Sequence, residues 1–95
     1  MIIRIVKMTF DPASVDSFLR IFHNAQHRIE AFHGCKGVDL CRDLTQPNVF
    51  MTLSLWETAG DLEMYRKSEL FNVTWGETKA LFSQRPEAWS LEKQR

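Results

Sequence analysis

The sequence predicts an α+β fold, with one four-stranded antiparallel sheet and helices packed against one of its faces. Two observations predict it. Short apolar runs of period two are interleaved with segments whose apolar residues recur every three or four positions. Pro, Gly and Asp separate these segments. The order is strand, helix, strand, strand, helix in two pieces, strand. That is the split βαβ, ferredoxin-like arrangement. The 95 residues form one domain, 1–95, without repeats or linkers.

Each element follows from local chemistry. Ile2 to Thr9 (IIRIVKMT) is rich in Ile and Val and reads as the first strand. Asp11-Pro12 stops it and starts a helix. The Asp11 carboxylate can accept from free amides, and Pro12 suits the first helical position, where its missing N–H goes unused. Val15, Phe18, Phe22, Ala25, Ile29 and Phe32 then form one stripe, with Leu19 beside it. His33-Gly34 ends the helix, with Gly34 free to turn left-handed.

Cys35 to Asp43 reads as the second strand and Asn48 to Trp56 as the third, joined by a Thr-Gln-Pro turn into an antiparallel hairpin. Period two puts Phe50, Thr52, Ser54 and Trp56 on one face and Val49, Met51, Leu53 and Leu55 on the other. Neither face is charged, so both need cover. Thr58 with Asp61 resembles a capping box for a short helix through Leu62, Met64 and Tyr65. Ser68 caps a second helix, Glu69 to Phe82, weakened by Gly76. Arg85-Pro86 ends it, and Glu87 to Glu92 (EAWSLE) is the last strand.

Charge and composition exclude several function classes. Lys plus Arg and Asp plus Glu are 12 each, so the net charge is zero. A nucleic-acid partner is not expected without a basic excess. No apolar run approaches the roughly 18 residues of a membrane span. Met1 leads straight into a strand holding Arg4 and Lys7, which is unlike a signal peptide. Cys35 and Cys41 share one strand, so at about 3.3 Å per residue their Cα atoms stand roughly 20 Å apart, too far to bridge. Free thiols fit a cytoplasmic location.

The distinctive feature is the ring content: seven Phe, three Trp and one Tyr. A domain of this size buries only about two thirds of its unfolded surface. Its rings exceed what one small core hides. A second copy, packed on the sheet face that carries Met51, Leu53 and Leu55, removes that excess. A homodimer is therefore expected.

The runs HGCKGVDLCRD, PNVFMTLSLWET and DLEMYRKSELF carry a further signal. A Gly-Cys opens the second strand, Trp56-Glu57-Thr58 closes the third, and Ser68-Glu69-Leu70-Phe71 sits where the helix restarts. In these features the chain resembles the antibiotic-biosynthesis monooxygenase family of dimeric α/β barrels, over about residues 2 to 92. The resemblance implies a homodimer with a pocket between sheet and helices in each subunit. It also implies, for some members, cofactor-free oxidation of quinols or anthrones. The haem-degrading branch uses an Asn on strand one and a Trp and His on the later helices. Those places hold Val6, Tyr65 and Trp75 here, which argues against haem degradation. In the aromatic-polyketide oxygenase branch the strand-three Trp lines the pocket, and Trp56 matches it. Thr52 stands where that branch has Asn. Tyr65 lies one helical turn from that branch's Tyr, and its Arg is unmatched.

The expected function is a cofactor-independent monooxygenase acting on a small aromatic or quinol-type substrate. The alternative is a non-catalytic dimer that binds a small ligand. Trp56, Trp75 and Phe71 are the candidate walls, although ordinary core packing is the simpler reading of Trp56 and Phe71. Thr52 and Tyr65 are candidate hydrogen-bond partners, since a tyrosine hydroxyl in a pocket needs one. Tyr65 and His23 are the candidate catalytic groups, His23 as a base at the edge of the helix stripe. His23 and His27 have metal-ligand spacing but no further ligand accompanies them, so no metal is expected. His33 is expected to serve the helix end. Arg4, a charge within an apolar strand, either holds an anionic substrate group or forms a cross-strand or dimer-rim salt bridge, as Asp39 and Arg42 are also expected to do.

Overall fold

A computed structural model describes residues 1–95 and contains the expected elements in the expected order. They are β1 (Ile2–Thr9), α1 (Val15–Glu30), β2 (Cys35–Arg42), β3 (Val49–Trp56), α2 (Ala59–Arg66), α3 (Glu69–Lys79) and β4 (Glu87–Glu92). The sheet order is β2-β3-β1-β4, all antiparallel, as the split βαβ arrangement requires.

The ends of elements differ from the sequence expectation in instructive ways. Asp11 accepts from the Ala13 amide, but Pro12–Ser14 forms a 3-10 turn before α1 begins at Val15. α1 stops at Glu30, so Phe32 packs from the following turn instead of the helix. Gly34 has φ +82°, and a Cβ there would overlap the Asp61 side chain. Glycine is required at this point on both counts. Thr58 Oγ1 accepts from the Asp61 amide at 3.1 Å, which starts α2 as expected. α3 ends at Lys79 instead of Phe82, because Phe82 leaves the helix to form a bridge with Phe10 at the sheet edge.

The register assigns the faces. Arg4 pairs with Ser54 and Ser90, and Val6 with Thr52 and Ala88. These residues, with Met8, Phe50 and Trp56, face the helices, where Phe18, Phe22, Ala25 and Ile29 of α1 are buried against the sheet. Phe10, between β1 and the 3-10 turn, is fully buried and central: it stacks on Phe18 at 4.2 Å and meets Phe82 at 5.4 Å. The opposite sheet face has no cover. Leu53 and Leu55 are 37% and 38% exposed there, and β4 adds Trp89 at 42% and Leu91 at 46%. Cys41 is exposed on that face, opposite Met51, while Cys35 is half-buried, and both thiols are free. No helix is long and apolar enough to cross a membrane.

Candidate functional site

A cavity of about 250 Å³ opens between the sheet and the helices. β1 supplies Arg4, Val6 and Met8; β3 supplies Thr52, Ser54 and Trp56. α2 and α3 supply Tyr65, Arg66, Phe71, Thr74, Trp75 and Thr78. The walls are rings in series. Trp56 stacks on Tyr65 at 4.9 Å, Tyr65 meets Phe71 edge-on at 5.3 Å, and Phe71 stacks on Trp75 at 5.9 Å. The sequence brings these rings together through two devices. Strand alternation places Trp56 on the inner face. At the α2–α3 junction, the Ser68 hydroxyl donates to the Tyr65 carbonyl at 2.6 Å and accepts from the Phe71 amide at 3.1 Å. One serine thereby fixes the two ring-bearing residues on either side of it.

Trp56 is fully buried, so it is both core and cavity wall. Its indole Nε1 donates to Ser54 Oγ at 2.9 Å, which satisfies the one polar atom of the ring. Tyr65 is different: the residue is half-buried and lines the cavity, and its hydroxyl makes no hydrogen bond to the protein and stays accessible to solvent there. Burial, and then the neighbouring Cys35, pushes this hydroxyl up to about 12. It is a neutral hydrogen-bond donor at ordinary pH. Burial also raises the Cys35 thiol, opposed by hydrogen bonding from the Gly37 backbone and helped by Glu30. Thr52 lines the cavity with its hydroxyl free of protein partners.

Arg4 lines the cavity and forms no ion pair. Its Nη1 donates to Ser90 Oγ on β4 at 2.8 Å. The cross-strand salt bridge expected as one of its two roles is absent, because β4 presents a serine and not a carboxylate at that register. Burial lowers the Arg4 pKa, with Arg66 adding to the effect and Glu63 opposing it. Asp39 and Arg42 form no salt bridge either; Arg42 lies over the Phe50 ring at 4.6 Å.

The histidines fall outside the cavity. His23 is exposed on α1, edge-on to Phe22 at 5.9 Å, and is not part of the lining. The stripe turns Phe22 inward, and the next position, 100° round the helix, points His23 away. His27 is exposed as well, and no third metal-ligating side chain joins the pair. His33, just past the end of α1, lies 3.6 Å from Asp61 of α2.

Several lining residues escaped the sequence. Ser54 was legible in principle, since an indole two residues away on the same face needs an acceptor. Arg66 was not, because its relation to Arg4 exists only once α2 is docked; Ser90, which holds Arg4 from outside the lining, needs β4 docked as well.

The whole fold is shared with solved structures. One, a crystal structure of an antibiotic biosynthesis monooxygenase, superposes with TM-score 0.91 at 18% identity, covering 98% of each chain. A conserved protein from Methanosarcina mazei Go1 gives 0.92 at 20%, covering 99% of this chain and 94% of its own. A protein from Pseudomonas aeruginosa gives 0.86 at 21%, covering 99% and 94%. At these identities the likeness concerns the fold alone. A comparison with curated protein sequences finds no match. The model of one family, antibiotic biosynthesis monooxygenase, matches residues 1–74, a span that runs from the first strand into the helix bearing Phe71. The chain belongs to the antibiotic biosynthesis monooxygenase family.

Proposed function

We propose that the protein is a cofactor-independent monooxygenase of small aromatic or quinol-type substrates, working as a homodimer. The observation that carries this reading is the ring-walled cavity whose lining includes Tyr65 and Thr52, with hydroxyls that make no hydrogen bond to the protein. A flat substrate stacks on such walls and places an oxygen against the Tyr65 donor. Family membership supports the monooxygenase chemistry, and the uncovered apolar sheet face supports the dimer.

The substrate supplies the electrons. Loss of a proton gives a phenolate or carbanion that reacts with O2 directly. For an activated CH2 the products are C=O and water, one oxygen atom going to each. For a quinol they are quinone and hydrogen peroxide. The protein contributes desolvation, stacking and a neutral Tyr65 hydroxyl that stabilises the developing oxyanion. Its pKa makes Tyr65 a donor and not a base. His23 has no part in this reading, because it is exposed and away from the lining. Glu87 is the one carboxylate of the lining, and Lys7 lies 3.9 Å from it. The register turns the Glu87 side chain to the face of Lys7, so water that enters the cavity accepts the proton.

The lack of a free base in the lining favours, as a second reading, a dimer that binds its aromatic ligand without transforming it. An oxygen electrode separates the two. Uptake with a menadiol-type quinol above the autoxidation blank, reduced at least roughly tenfold in Tyr65→Phe, supports the enzyme. Ligand binding with uptake equal to the blank supports the binder. Uptake unchanged in Tyr65→Phe and in Trp56→Phe removes both residues from the account.

A further inference from the structure

Arg4 and Arg66 are the only cations in a lining otherwise made of rings, aliphatic chains and hydroxyls, apart from Glu87. Arg4 is half-buried in the middle of the sheet and has a serine, not a carboxylate, as its partner. A guanidinium carries five N–H donors in a fixed fork. The Ser90 contact uses one of them. The carboxylates nearby are already committed. Glu63 lies 3.8 Å from Arg66 and 4.0 Å from Lys67, so one negative charge serves two cations. Glu87 pairs with Lys7 at 3.9 Å and, by the β1–β4 register, on the sheet face opposite Arg4. Glu63 is also the carboxylate that acts on Arg4, so Arg4, Arg66 and Lys67 share one negative charge and this end of the cavity holds excess positive charge. A partly desolvated cation that shares its counterion with two others gains from an anion bound beside it.

We propose that the cavity takes a flat aromatic molecule bearing an anionic oxygen substituent, such as a carboxylate, held by Arg4 and Arg66 while the ring lies along Trp56, Tyr65 and Trp75. This rests on the aromatic-cavity reading above. It adds a charge requirement that the rings alone do not impose. A bidentate guanidinium–carboxylate contact also fixes the ring's orientation, because the charged end can occupy only the arginine end of the cavity.

The test is a matched pair of ligands, naphthoate and naphthylmethanol substituted at the same ring position. Both are titrated into the intact protein and followed by quenching of tryptophan fluorescence. The acid is expected to bind about tenfold more tightly than the alcohol. That preference should shrink as salt is raised. Arg4→Gln should abolish it, with the acid then binding no more tightly than the alcohol. Arg66→Gln, on an exposed helix position that leaves the β1–β4 contact intact, should reduce it, and so keeps the test valid if Arg4→Gln does not fold. Equal binding of acid and alcohol, or a preference that survives both substitutions, overturns the charge requirement and leaves the aromatic cavity standing. Binding of neither ligand overturns the aromatic-cavity reading and this inference with it.

Discussion

Trp56 and Tyr65 stack face to face, with ring centroids 4.9 Å apart and planes 27° from parallel, yet their polar atoms are treated oppositely. The Trp56 indole N–H is satisfied within its own strand by Ser54, whereas the Tyr65 hydroxyl has no protein partner. One ring is anchored and the other is free to address a ligand. This difference makes the two residues separable by mutation. Trp56→Ala removes a fully buried ring and should destabilise the fold by about 3–5 kcal/mol. Tyr65→Phe keeps the stack, loses no protein hydrogen bond, and should shift stability by less than about 0.5 kcal/mol. Chemical denaturation of both variants checks this, and a large loss in Tyr65→Phe would reveal a structural role for the hydroxyl.

The high pKa of Tyr65 has a consequence for stability against pH. The hydroxyl is raised from 10.0 to about 12 in the folded protein. Between those values the folded state holds the proton more tightly than the unfolded chain. Stability from this group is full below the unfolded pKa and is lost as pH rises towards about 12, a loss of the order of 2 kcal/mol. The chain has a single tyrosine, so ultraviolet titration reads this group alone. A midpoint near 10 in the folded protein would contradict the buried placement. Tyr65→Phe should flatten the alkaline decline.

Gly34 and Gly37 provide a matched pair. Both have positive φ, +82° and +144°, but a Cβ on Gly34 meets Asp61 whereas one on Gly37 meets open space. Gly37→Ala should cost about 1–2 kcal/mol, the backbone strain alone. Gly34→Ala should cost more, because the α1–β2 turn must also move away from α2. Thermal unfolding of the two variants ranks them, and equal losses would mean that Asp61 yields freely.

These cases show what was legible in the sequence. Pattern and punctuation suffice for the strands and for α1, because Ile2–Thr9 and the Val15-to-Ile29 stripe are locally unambiguous. They fail where tertiary pairing overrides local propensity: Phe82 continues the periodicity of α3 but is taken by Phe10. The ring cavity was partly legible, since strand alternation and helical spacing put Trp56, Tyr65, Phe71 and Trp75 on facing surfaces. His23 was misplaced because one helical step decides between lining and solvent, and a stripe edge does not resolve one step. The arginine end of the cavity was not legible, because Arg4, Arg66 and Ser90 lie on three elements distant in sequence.

The open sheet face yields a prediction about assembly. Leu53, Leu55, Trp89 and Leu91 form an exposed apolar surface on two strands separated only by β1. Sedimentation should give twice the 11.1 kDa of one chain. Leu53→Asp, a charge placed in the centre of that face, should shift the protein towards the single-chain mass, since burying an unpaired carboxylate opposes association. An unshifted dimer in Leu53→Asp would move the interface elsewhere.

The central claim is that the space between sheet and helices is a binding site for a flat aromatic molecule. A crystal structure of the protein soaked with a menadione-type quinone tests it most directly. The account predicts planar density along Trp56, Tyr65 and Trp75, with a ligand oxygen within hydrogen-bond distance of Tyr65 Oη. A quinone found on the sheet face between Leu53 and Trp89, with the cavity closed by its own side chains, would contradict it.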